Sequence, residues 1–74
     1  MTTVTARFLT KIREKPGRRN PSFFRTVPNR EYELVEVRRS RGGDWAFITR
    51  NGLPIGWVPV ESKGVQTFRE TVVE

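Results

Sequence analysis

Carboxylates are the obvious proton-transfer groups in this sequence, because histidine and cysteine are both absent. That absence removes Ser-His and Cys-His nucleophilic pairs, imidazole and thiolate metal sites, and disulfide bonds. The acids Glu14, Glu31, Glu33, Glu36, Asp44 and Glu61 are scattered, and no spacing among them sets a general acid opposite a general base. Glu31, Glu33 and Glu61 read as solvated surface. No glycine-rich phosphate cradle is present, since Arg41-Gly42-Gly43 reads as a turn. The expectation is a chain that is not an enzyme and needs no metal or cofactor.

Cations offer the other chemistry. The net charge is +6, and it is concentrated: Arg7, Lys11, Arg13, Lys15, Arg18, Arg19, Arg25 and Arg30 stand against Glu14 alone in the first thirty residues, whereas later bases and acids nearly balance. Eleven of the fourteen bases are arginines, whose planar fork matches carboxylate and phosphate oxygens. An anionic partner is therefore expected, reached by Lys11, Arg13, Lys15, Arg18 and Arg19 on one loop and by Arg39 and Arg41 on another.

The elements that must hold these groups read as short strands and turns. Residues 3–9 form a first strand, and the polar stretch Lys11–Asn20, with Pro16-Gly17 at its centre, an exposed loop. Ser22–Val27 is a short strand and Pro28-Asn29 a turn. Tyr32–Arg38 is a strand with one wet face, Gly42-Gly43-Asp44 a turn, and Trp45–Arg50 a further strand. Asn51-Gly52 is the strongest hairpin signal, because both residues tolerate positive φ, and Leu53–Val58 returns beside its partner. Val65–Val73 is a last strand or a tail. No helical periodicity is sustained, and 74 residues leave room for one domain with a small core. No apolar run approaches the roughly 18 residues of a membrane span, nor does any make a signal-peptide core, so the default location is the cytoplasm.

Strand alternation sorts the hairpin. With Ala46, Ile48 and Val58 pointing inward, Trp45, Trp57 and Pro59 are left partly outside as an aromatic binding surface. Phe8, Leu9, Phe24, Leu34, Val35 and Val37 are further core candidates, one of the neighbours Phe23 and Phe24 facing away. Gly43 and Gly56 read as backbone requirements.

Two blocks carry a resemblance. Leu9-Thr10-Lys11-Ile12-Arg13 followed by Pro16-Gly17, and Trp45-Ala46-Phe47-Ile48 followed by Asn51-Gly52 and Gly56-Trp57-Val58-Pro59, resemble a bacterial Src-homology-3-like domain. The resemblance implies an all-β, small SH3-like barrel of five or six short antiparallel strands, with its core at about residues 4–62 and a terminal strand or tail over 63–74. It also implies a binding module for a protein, peptide or cell-wall peptide, with Trp45 and Pro59 at groove positions and Trp57 nearby. Ser62 stands where a groove tyrosine is expected, and the aromatic-rich opening motif is missing, which points away from proline-helix ligands. Two other readings stay open: a nucleic-acid-binding small barrel using its basic loops, and a structural or assembly protein.

Overall fold

The computed structural model describes residues 2–17, 19–40 and 43–70. Its strands are β1 (Thr2–Ala6), β2 (Lys11–Arg13), β3 (Ser22–Arg25), β4 (Glu31–Ser40), β5 (Gly43–Arg50), β6 (Leu53–Pro59), β7 (Glu61–Ser62), β8 (Val65–Gln66) and β9 (Phe68–Glu70). The longer ones are rich in β-branched and aromatic residues, which fit a pleated, half-buried surface. Among the described residues no helix is long and apolar enough to cross a membrane.

Seven strands form one sheet in the order β3-β2-β6-β5-β4-β1-β9, and β7 with β8 forms a separate ribbon. All pairs are antiparallel. This corrects the expected fold: the protein is all-β, but among the described residues nine strands lie in two open sheets, not five or six in a closed SH3-like barrel. Among the described residues the order ends in two edges, β3 beside β2 and β9 beside β1, and no ladder joins them. The motifs behind the resemblance are present as β5, the Asn51-Gly52 hairpin and β6, yet a hairpin is local and leaves closure undetermined. Closure also fails to follow from strand count, because the chain beyond residue 62 supplies β9, which takes up the outer side of β1.

The sheet nevertheless curls. Val4 and Ala6 from β1, Ile12 from β2, Tyr32 from β4, Ile48 from β5 and Val58 from β6 make one buried cluster, with Leu34, Ile55 and Phe68 packed against it. Tyr32 meets Phe68 edge-on at 6.3 Å between ring centroids, and its hydroxyl accepts the Val27 N–H at 3.1 Å. Among the described residues three bulges supply bending. Phe23, Val35 and Ile55 are the extra residues where the registers of β2–β3, β4–β5 and β5–β6 shift.

Ala46, Ile48 and Val58 are buried as expected, whereas Leu9, Phe24, Val35 and Val37 are exposed and do not belong to the core. Leu34 is half-buried against it. The first strand stops at Ala6, and the expected loop from Lys11 begins instead with β2. Gly43 pairs with Ser40 at the start of β5.

Buried threonines close the polar seams. Thr26 Oγ1 donates to the Phe8 carbonyl at 3.0 Å and accepts the Thr10 N–H at 2.9 Å, while Thr67 Oγ1 donates to the Pro59 carbonyl at 2.6 Å. These bonds fix the chain where it leaves β1 and where it leaves β6, and each satisfies a backbone group that burial would otherwise strand.

Strand β2 joins the sheet at one register pair, Arg13 opposite Trp57. Gly56 makes that approach possible: a Cβ there would stand 2.7 Å from Ile12 Cγ2 and 2.9 Å from the Arg13 carbonyl oxygen, and its φ is 142°. Gly52 has φ 77° but nothing within 4 Å of an added Cβ. Gly56→Ala should therefore cost about 2 kcal/mol or more in denaturant unfolding, from overpacking added to backbone strain, and Gly52→Ala about 1 kcal/mol from strain alone. Equal losses would show that β2 does not depend on this contact.

Candidate functional site

The three residues expected to form an aromatic surface are buried. Trp45 is 3% exposed and Trp57 8%, and Pro59 is buried with them. Alternation places them correctly opposite Ala46, Ile48 and Val58, but that second face is covered. Trp45 pairs with Pro59 and Phe47 with Trp57 across the hairpin, the latter rings 5.2 Å apart. The Arg38 guanidinium carbon lies 4.9 Å from the Trp57 ring centre, and Arg38 also bonds Glu36 at 2.9 Å. The indoles thus form a second packed layer, with a cation over one ring. The expectation that they stand partly in solvent is corrected.

The basic residues separate into distinct environments. Lys11 and Arg13 lie on β2, not in a loop. Arg13 is half-buried, and its Nη1 donates to the Asn20 carbonyl at 2.9 Å. Asn20 in turn donates through Nδ2 to the carbonyls of Lys15, Pro16 and Gly17 at 3.3, 3.0 and 3.3 Å. That amide braces the backbone over residues 15–17, and Lys15 and Arg19 are exposed. Arg39 is exposed on β4, 3.5 Å from Asp44 Oδ1. Arg18 and Arg41 lie outside the described residues.

One surface brings some of these cations together with side chains that the sequence reading did not place in a site. A groove of about 640 Å³ is lined by Lys11, Arg13, Ser22, Phe23, Phe24 and Arg25. Phe23 is 71% exposed and Phe24 68%. Both sit on β3, an edge strand whose ladder partner is β2. Among the described lining residues there are three cations and no carboxylate. The available signal is Phe23-Phe24 followed at once by Arg25; alternation in a regular strand turns one of the two rings inward, which makes Phe24 a core candidate and hides the pair.

A second hollow, about 520 Å³, lies between the Pro28-Asn29 turn and the β5–β6 hairpin and includes Arg30, Arg50, Glu31 and Glu33. Its charges are of both signs. Glu33 is not merely solvated: Oε1 accepts from the Thr49 hydroxyl at 2.8 Å and the Gly52 N–H at 3.1 Å, and Oε2 accepts the Asn51 N–H at 2.9 Å. The carboxylate caps the turn, whose Asn51 and Gly52 have φ of 54° and 77°. The bond from Thr49, then those from Gly52 and Asn51, hold its pKa below the usual carboxylate value.

Among the described residues no group of three or more histidine, cysteine, aspartate or glutamate side chains is placed to hold a metal ion. No family model, curated protein or solved structure matches the chain.

Because the folded pKa of Glu33 is depressed, its contribution to stability is complete above the ordinary carboxylate value and is lost as pH falls through the folded one. Glu33→Gln should lower the melting temperature at neutral pH, since an amide cannot accept at both positions. The gap to the wild type should close in acid, where Glu33 is protonated. A gap of the same size at both pH values in thermal melts would show that the charge does not hold the turn.

Proposed function

We propose that this protein is a non-enzymatic binding module for nucleic acid, and that its contact surface is the groove on the β2–β3 ribbon. The observation that carries this reading is the composition of the groove: Lys11, Arg13 and Arg25 beside two exposed phenylalanines, with no carboxylate among the described lining residues. Phosphates supply charge that such cations neutralise with release of counterions. Bases supply flat faces for aromatic rings.

Lys15 and Arg19 on the braced loop extend the positive surface past the groove. Arg13 keeps further donors on its fork after bonding Asn20, since a guanidinium carries five N–H groups. The peptide reading depended on an open surface at Trp45, Trp57 and Pro59, and their burial removes that support.

Fluorescence anisotropy with a labelled single-stranded oligonucleotide over a salt series tests the proposal. Binding should weaken linearly on a double-logarithmic plot, with a slope of about −0.7 for each phosphate neutralised. Changing Lys11 and Arg25 together to alanine should flatten that slope by about 1.4 units, the share of two contacts. Both side chains are exposed, so the fold should survive the change. Absence of saturable binding at low salt, a slope unchanged in the double variant, or equal affinity for heparin of matched charge would each overturn the reading.

A further inference from the structure

Resting on that reading, we infer that the groove takes unpaired bases, two neighbouring ones at a time, and that the β-bulge in β3 creates the platform on which they stack. Adjacent residues in a regular strand point to opposite faces of the sheet. A regular β3 would therefore split Phe23 and Phe24 between two surfaces. Here the register passes from Ile12 opposite Phe24 to Arg13 opposite Ser22, which leaves Phe23 as the inserted residue. A bulge sets two residues of one strand against one of its partner and so suspends alternation locally. Both residues are among those lining the groove.

The rings are costly where they are. Each leaves about two-thirds or more of its surface in water, although the core has other phenylalanine and tyrosine positions that pack, as Phe68 and Tyr32 do. Neither ring belongs to the core cluster. Lying on an edge strand, they leave one side of the ribbon open to an incoming chain.

What fits such a pair follows from chemistry. A duplex presents phosphates to the outside and keeps its base faces stacked on each other, so the cations alone would suffice to hold it. Only a single strand offers both an anionic backbone and free π-faces. Lys11, Arg13 and Arg25 belong to the same lining and supply the charge for the phosphates. The ligand class is thus a single-stranded segment, of DNA or RNA, and base identity enters little, because every base has a face to stack.

The test separates the bases from the backbone. Anisotropy titrations would compare oligomers of thymidine and of uridine with an abasic oligomer of equal length, and would add a duplex of matched charge, at one salt concentration. The proteins would be the wild type, Phe23→Ala, Phe24→Ala, the double variant and a double Phe→Trp variant. The wild type should bind at least one of the two base-bearing oligomers about 25-fold or more tighter than the abasic one, and each single alanine change should remove about 5-fold or more of that advantage. The double alanine variant should bind base-bearing and abasic oligomers alike, with duplex affinity unchanged, and the tryptophan variant should keep the preference. Equal binding of base-bearing and abasic oligomers by the wild type, or a preference that survives the double alanine change, would overturn the stacking inference while leaving the charge-driven reading intact. No binding to any of the four nucleic acids would overturn both. Because Phe23 and Phe24 lie outside the core, a thermal melt close to the wild type is expected for each variant.

Discussion

The close approach of β2 to β6 at Gly56 is the constraint on which the rest of this molecule depends. A side chain at that position would collide with Ile12 and with the Arg13 carbonyl, so the residue must be glycine for the two strands to meet. The consequences run in two directions. Inward, the contact delivers Ile12 to the cluster formed by Val4, Ala6, Tyr32, Ile48 and Val58, so strands far apart in the sheet share one core. Outward, it attaches β2 at a single register pair and leaves β3 as an edge with its aromatic residues in water. The same contact thus completes the hydrophobic interior and sets out the basic, aromatic groove.

A chain of this size has little apolar interior to spend on stability, and polar closures hold the places where strands turn. Thr26 and Thr67 each satisfy a backbone carbonyl at a point where the chain leaves a strand, Tyr32 reaches from the core to the Val27 N–H, and Asn20 gathers three carbonyls of the basic loop. Glu33 does the corresponding work for the β5–β6 turn from the neighbouring strand β4.

Much of the local structure was legible in the sequence. Asn51-Gly52 announced its hairpin through the tolerance of both residues for positive φ, and alternation correctly turned Ala46, Ile48 and Val58 toward the core. What escaped was whatever depends on distant strands. The bulges at Phe23, Val35 and Ile55 each insert a residue that local alternation does not announce, and Phe24, Val35 and Val37, core candidates in one dimension, are exposed in three, although Phe24 pairs with buried Ile12 and Val37 with buried Ala46. Trp45 and Trp57 were on the expected face, but nothing local reveals that Arg38 and Phe47 pack against the Trp57 ring. Of the candidate site, Lys11 and Arg13 were foreseen, whereas Phe23, Phe24 and Arg25 came together only once β2 and β3 were paired. The open sheet was hidden for the same reason: hairpins are encoded by neighbours, while closure depends on whether the two outermost strands meet.

The central claim is that ligand contact and the β2–β3 ribbon coincide. Backbone amide NMR of the isotopically labelled protein, titrated with a short single-stranded oligonucleotide, addresses it residue by residue. The largest saturable shifts should fall on Lys11, Ile12 and Arg13 and on Ser22 to Arg25, with the hairpin at Asn51 and Gly52 unmoved. Shifts centred instead on the hollow at Arg30 and Arg50, or on the layer around Trp45 and Trp57, would contradict it.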